Sequence, residues 1–172
     1  TDNGNIINAS NGVEITSNDG LKINAQQSIY SKITKKLLLI DDVVIVDNVN
    51  NITIQSDNIE YDKSLELIVS KNETLINIDS NYIIKTKNIF FLKLENIIKS
   101  DQETTLEDNF KNKVKTTNFI YAANSKEFKT ENMIVTDKNL NKYLSNEAII
   151  DLNINEIAAK DIKVYFSKDS DL

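Results

Sequence analysis

Residues 52–62 read ITIQSDNIEYD, and the alternation of apolar and polar positions slips in the middle. Ile52, Ile54 and Ser56 mark one face of a period-two strand, but after Asp57 and Asn58 the residues Ile59 and Tyr61 resume one place late. In a straight strand such a slip sends every later side chain to the opposite face. The slip recurs in a common frame: an aliphatic residue, a spacer, a small residue, two polar residues, a further pair and an aromatic or aliphatic end. That frame fits residues 23–30 (INAQQSIY), 54–61 (IQSDNIEY), 84–91 (IKTKNIFF), 114–121 (VKTTNFIY) and 157–164 (IAAKDIKV). The first copy departs only at Ser28, where an apolar residue is expected. A recurring defect is a corner. Small residues beside two polar ones accommodate a β-bulge, which adds a residue and bends the strand. The pattern thus predicts a bend at Asp57-Asn58 that keeps Ile54, Ile59 and Tyr61 on one buried side.

The copies close on Tyr30, Tyr61, Phe91, Tyr121 and Val164, which lie 31, 30, 30 and 43 residues apart, so the last interval is expected to carry an insertion. A frame recurring at about 30 residues points to stacked strands. The runs between copies (35–47, 64–79, 127–137 and 146–155) alternate, are rich in Ile, Val and Thr, and are split by Asp, Asn and Lys clusters that suit turns. Residues 88–100 have some helical spacing but overlap a copy and are read as strand. Glycine stands only at 4, 12 and 20, so later left-handed turn positions are expected to fall on Asn and Asp. No linker divides the chain. The expectation is one all-β domain over residues 1–172.

The 172 residues suffice for a sizeable core, and 40% are hydrophobic. No apolar run approaches the roughly 18 residues that a membrane-spanning helix needs. The start, TDNGNIINAS, shows no basic segment followed by an apolar one. The residue types that are missing narrow the chemistry further. The chain has no Cys, His, Pro, Trp or Arg, and its 20 basic residues are all Lys. Disulfides, thiolate metal sites and Cys nucleophiles are thereby excluded, as are the commonest general base and the bidentate fork for phosphate or guanine. A net charge of −6 argues against nucleic acid as a partner.

The stretch KKLLLIDDVVIVDNVNNITIQSDNIEYDK (35–63) resembles the OstA-like family of lipopolysaccharide-transport proteins. DDVVIVD (41–47) supplies the family's V-x-I-x-D step, with Asp41-Asp42 in place of Gly-Asn. IQSDNIEYD (54–62) and INAQQSIYS (23–31) supply the flanking aliphatic-x-small units. The resemblance is clearest over residues 12–79, and its spacing persists to residue 166. Within the family it leans towards the N-terminal periplasmic domain of the outer-membrane assembly protein LptD over the soluble bridge protein LptA. It implies a folded-over antiparallel sheet (a β-taco or β-jellyroll) built from repeated strand pairs, and a fragment of a longer chain that leads into an outer-membrane barrel. It also implies a periplasmic, non-enzymatic lipid conduit that needs no cofactor, with lipopolysaccharide and a bridge protein of the same fold as partners.

On that resemblance, Ile23, Ile54, Ile59, Tyr61, Ile84, Ile89, Phe91, Val114, Phe119, Tyr121 and Ile157 are candidate lipid-binding residues. As sequence alone, the same inward column, with Ile162, reads first as ordinary core, because apolar residues on strands usually just pack. The early stretch NGVEITS (11–17), with Val13 and Ile15, is a candidate docking edge: it carries one charge, Glu14, and little else that blocks strand addition. The acidic pairs Asp41-Asp42, Asp57/Glu60 and Glu156/Asp161, and the SNDG stretch at 17–20, read as solvated turns and outward positions, with no catalytic residue and no metal site. Two alternatives remain open at this point. A 30-residue period also fits a parallel β-solenoid with a solid core and a structural or adhesive role, and, more weakly, a carbohydrate-active β-helix.

Overall fold

The computed structural model describes residues 4–18 and 20–167, so Asp19 of the SNDG stretch lies outside the described residues. Among the described residues sixteen strands follow one another: β1 (Ile6–Thr16), β2 (Leu21–Ser31), β3 (Lys36–Asp47), β4 (Ile52–Asp62), β5 (Leu67–Ser70), β6 (Thr74–Ile78), β7 (Tyr82–Thr86) and β8 (Ile89–Leu92). They continue as β9 (Ile97–Ser100), β10 (Thr104–Asp108), β11 (Lys113–Thr116), β12 (Asn118–Ala122), β13 (Glu127–Thr136), β14 (Lys142–Asp151), β15 (Glu156–Lys160) and β16 (Lys163–Tyr165). Residues 88–100 are two strands and a turn, not a helix. Every pairing is antiparallel, which rules out the parallel solenoid as the architecture.

The sheet is a simple meander folded lengthwise. The strand pairs β5–β6, β7–β8, β9–β10, β11–β12 and β15–β16 are each one long arm broken at its middle, so the described residues make eleven arms. β4 shows the fold directly: its first half pairs with β6 and its second half with β5. One half-sheet holds β5, β8, β9 and β12, the other β6, β7, β10 and β11, and β13 joins both again. The predicted bend is therefore real. Ile54, Ile59 and Tyr61 are all buried on the inner side.

The extra residue of the bulge, however, comes from the neighbouring strand. Val43 pairs with Ser56 and Ile40 with Asn58, so Asp41 and Asp42 together oppose Asp57 alone. Both aspartates sit in the left-handed region, at φ of 61° and 52°. Asp tolerates that conformation better than most residues, because its short side chain bonds locally. Asp41-Asp42 is thus a corner of the crease, not a hairpin turn. Two solutions to the same bend result. β3 keeps its parity (Leu37, Leu39, Val43 and Ile45 inward) by bulging, while β4 shifts parity and needs no left-handed residue.

The arms also correct the repeat count. Copies 23–30, 54–61, 84–91 and 114–121 lie on alternate arms, all running the same way. The fifth copy in phase is 143–150 on β14, with Ala148 and Ile150 inward, whereas 157–164 lies on the next, oppositely directed arm. The interval of 43 therefore contains no insertion. The last arm matched the frame because it, too, shifts parity at its corner, with Asp161 left-handed.

Breaking a strand at the crease frees backbone carbonyls inside the fold, where an unpaired polar group is costly. Hydroxyls beside the crease answer this, some at the small position of the frame and some on the arms between its copies. Ser56 donates to Glu73 O (2.9 Å), Ser100 to Lys87 O (2.6 Å), Thr130 to Asn118 O (2.7 Å) and Ser145 to Lys160 O (2.6 Å). Ser56 and Ser70 (2.8 Å), Thr86 and Thr104 (2.8 Å), and Thr116 and Thr130 bond to each other along the crease.

The hairpin turns form two rims. On the first rim the carbonyls of left-handed Lys35, Glu66, Asn96 and Lys126 accept the N–H groups of Lys63, Lys93, Ala123 and Leu152, one turn further along. Asn51 does the same for Asp79 on the second rim. The rim bond sets the conformation, whatever the side chain. This is why Lys35, Glu66 and Lys126 adopt it where only Asn and Asp were expected.

Candidate functional site

Two inner rows cross the sheet, with one residue per arm in each. Ile15, Ile23, Ile45, Ile54, Ile76 and Ile84 form the first as far as β7, and it continues through Leu106, Val114, Val135 and Tyr143 to Val164. The second runs from Ile7 through Tyr30, Leu37, Tyr61, Ile68 and Phe91, then through Ile98, Tyr121, Phe128 and Ile150 to Ile157. The frame's opening and closing residues are these two rows. Ile59, Ile89 and Phe119 lie between them, next to the crease. Phe119 stacks on Phe128 with centroids 5.0 Å apart.

Ten of the eleven candidate lipid-binding residues are buried in one continuous core: Ile23, Ile54, Ile59, Tyr61, Ile84, Ile89, Phe91, Val114, Phe119 and Tyr121. Along its middle the interior is filled. Ile157 differs. It faces inward opposite Ile150, yet is 45% exposed, and Ile162 (56%), Val164 (43%) and Phe166 (64%) on the same last arm are open as well. At the opposite end Ile7, paired with buried-side Tyr30, is 48% exposed. Val13 and Ile15 are half-buried on the inner face of β1, and among the described residues β1 pairs only with β2.

The two rims meet across the mouth of the fold. Asn50 Nδ2 donates to Asn96 Oδ1 (3.0 Å), and Lys126 Nζ reaches Asp79 Oδ2 (2.6 Å). The Tyr82 hydroxyl donates to Leu152 O (3.3 Å) and to Asn155 Oδ1. Nothing in the alternation of the strands announces this seam, because it is made by turn residues that lie far apart in sequence. Beneath it the Tyr121 hydroxyl is buried without a partner, and burial, reinforced by the Asp79 charge, holds its pKa far above the ordinary value. Tyr61, by contrast, donates to Glu66 Oε2 (2.5 Å) under the Lys93 ammonium, and burial and that bond push its pKa up to about 12.

Of the acidic pairs, Asp41-Asp42 and Asp57 line the crease, Glu60 pairs with Lys36 (2.7 Å) on the outer face, and Glu156 and Asp161 are exposed on the last arm. Among the described residues no cluster of carboxylates has the geometry to hold a metal ion. No protein-family model matches the chain, and no curated protein matches it.

Proposed function

We propose that this chain is a non-enzymatic lipid conduit of the OstA-like kind, a segment of a periplasmic bridge that passes lipopolysaccharide towards the outer membrane. The observation that carries the reading is the pair of unbroken apolar inner rows whose terminal members, Ile7 at one end and Ile157 and Val164 at the other, stand uncovered. Acyl chains would enter from such an end and spread along the rows as the Asp79–Lys126 seam parts. The free edge of β1, with Val13 and Ile15 facing inward, suits pairing with a strand of a bridge protein of the same fold, which would extend the inner face. The last arm would lead into the barrel of a longer parent chain.

The filled mid-section and the joined rims favour a second reading, a structural segment with a solid core and no lipid. A photo-crosslinking residue separates the two. Placed at Ile157 or Ile54, it should capture lipopolysaccharide, whereas one at outward Gln55 should not. Capture at Ile157 alone would restrict lipid to the end of the fold. Equal capture at all three positions, or none at any, overturns the conduit.

A further inference from the structure

The most exposed apolar side chains of the molecule stand at the tips of its turns. On the first rim these are Ile33, Leu65, Leu94 and Ile154, and on the second Val49, Phe110 and Leu140. All seven are between 59% and 79% exposed, and among the described residues only Phe166 of the other large apolar side chains is as open. Turn tips ordinarily carry Gly, Asn, Asp or Ser. Here each tip is an apolar residue between two polar neighbours. The seam holds both rims on one side of the fold. Asn50 and Asn96 bond the turn of Val49 to that of Leu94 (3.0 Å), and Tyr82 bonds Asn155 beside Ile154. Along one rim successive turns are two arms apart, roughly 10 Å for strands about 4.8 Å apart. The result is a double row of single apolar tips, not a continuous patch.

The backbone and the charges of the turns select the occupant. A backbone polar group that leaves water must be bonded within the protein. At four of the tips the N–H is so bonded. Those of Val49, Leu65 and Phe110 donate to the carboxylates of Asp47 (3.0 Å), Asp62 (3.2 Å) and Asp108 (2.9 Å), and that of Leu140 donates to the Asp137 carbonyl (3.0 Å). These tips enter a phase of low dielectric without stranding a donor. A folded protein partner packs on a continuous dry patch, whereas tips set singly among polar residues suit a fluid phase that closes around each one. Charge does not select an anionic surface. Lys32, Lys63, Lys111 and Lys138 stand among the tips, but so do Glu95 and, at the turn bases, Asp47, Asp62, Asp108 and Asp137, and the whole chain carries −6. We infer that the mouth of the fold rests on a zwitterionic lipid bilayer, with the turn tips of both rims inserted at head-group depth. The surface is made by the outside of the turns, needs no lipid between the inner rows, and stands or falls apart from the conduit.

The chain has no Trp, so a single introduced Trp reports its own surroundings. The probe is a large unilamellar vesicle of phosphatidylcholine, with and without brominated acyl chains. The readouts are co-sedimentation, Trp emission and a thermal melt of each variant. On adding vesicles, Leu94→Trp and Phe110→Trp should shift to the blue and be quenched by the brominated lipid. Ile120→Trp, on the outer face, and Ile157→Trp, on the inner face, should do neither. Leu94→Asn combined with Phe110→Asn should weaken vesicle binding more than tenfold with an unchanged melt, and Val49→Asn combined with Leu65→Asn should repeat the loss if the first pair melts early. Ile157→Lys should bind as the parent does, and adding phosphatidylglycerol should not tighten binding. Absence of vesicle binding by the parent, or unchanged binding in both folded double variants, overturns the inference. Tighter binding to the anionic vesicles assigns it to the lysines and overturns the role of the tips. A blue shift at Ile157→Trp alone places lipid at the open end of the inner rows, which overturns this inference and leaves the conduit standing. A blue shift at Leu94→Trp that grows with protein concentration in the absence of vesicles makes the tips a contact between copies of the chain, and overturns the bilayer.

Discussion

Replacing Tyr121 with Phe should make the protein more stable. Most substitutions at a fully buried aromatic destabilise, so the sign is a demanding one. Tyr121 is 1% exposed, its ring belongs to the second inner row, and its hydroxyl has no hydrogen-bond partner among the described residues. The hydroxyl left water on folding and received nothing in return. Such an orphaned group costs about 1–3 kcal/mol. Phe keeps the ring, its packing and its rotamers, so the substitution removes the cost and opens only a small void. The expected gain is about 1–2 kcal/mol, or roughly 2–8 °C in Tm for a domain of this size. The assay is urea unfolding of both proteins at pH 7, compared at unchanged m-value. A loss of stability at the same m would refute the reasoning, since it would mean that the hydroxyl has a partner worth more than its desolvation.

The same residue carries a pH signature with a definite sign. An unfolded Tyr ionises near pH 10, and the folded Tyr121 does so well above that. The neutral form is therefore the one the fold prefers. This contribution is intact below about pH 10 and is lost as pH rises from there towards the folded value, because only the unfolded chain releases the proton. The advantage of Tyr121→Phe should thus widen above pH 10. Tyr61, with its pKa at about 12, adds a parallel decline that Tyr121→Phe leaves in place. In the conduit reading the hydroxyl gains a partner when the seam opens around a guest. Saturating lipopolysaccharide should then narrow the gap between the two proteins at pH 7.

Ile54→Ala should cost about 2–5 kcal/mol and Ile157→Ala under about 1 kcal/mol, although both face inward; equal losses in urea melts would show that the last arm is as covered as the middle. A double-mutant cycle of Asp79→Asn and Lys126→Met should give a coupling of about 1 kcal/mol, at the upper end for exposed pairs because both side chains are partly buried; zero coupling would mean that the rims are not joined there. Lys35→Gly should be neutral or stabilising by up to about 1 kcal/mol, because φ of 56° strains an L residue and its carbonyl keeps the bond to Lys63. Lys35→Val should destabilise, and a reversed order of the two melts would remove the rim bond as the cause of the conformation.

The all-β class and the inward assignment of Ile54, Ile59 and Tyr61 were legible because strand parity is a local signal. A slip at Asp57-Asn58 has few physical meanings, and its recurrence at about 30 residues left one. The phase of the last copy was not legible. IAAKDIKV satisfies the frame as written, whereas YLSNEAII opens on Tyr143 and fits only if that position admits any large apolar residue, and strand direction leaves no trace in such a pattern. The owner of the bulge was hidden for a related reason. It is set by pairing between β3 and β4, so Asp41-Asp42 looked like a turn while Asp57-Asn58 looked like the defect. The hydroxyls at Ser56, Thr86 and Thr116 were visible as small residues, but their role depends on carbonyls freed by the break in the arms. The seam was out of reach, since Asp79 and Lys126 are 47 residues apart and meet only after the fold closes.

The inner face is filled along the middle of the sheet and bare at its ends. Asn50, in the turn between the third and fourth arms, meets Asn96, in the turn between the sixth and seventh. Asp79, between the fifth and sixth, meets Lys126, between the eighth and ninth. These two bridges join turns three arms apart, so the half-sheets close with a stagger, as a right-handed twist in a long sheet demands, while Tyr82 at the start of the sixth arm reaches the last turn at Leu152 and Asn155. Among the described residues the middle arms have a neighbour on both sides, and the arms at either end have one. Ile150 and Ile157 are neighbours in one row, yet the first is buried and the second half exposed. Among the described residues Ile157 lies on an arm that pairs only with β14, whereas Ile150 has an arm on either side. The apolar surface on the last arm is thus built into the end of the sheet. Any partner that covers it must bring an inner face of its own, in register with both rows, and an aliphatic-to-Lys substitution at Ile157 or Val164 should block that partner while leaving the melt of the isolated chain within about 0.5 kcal/mol of the parent.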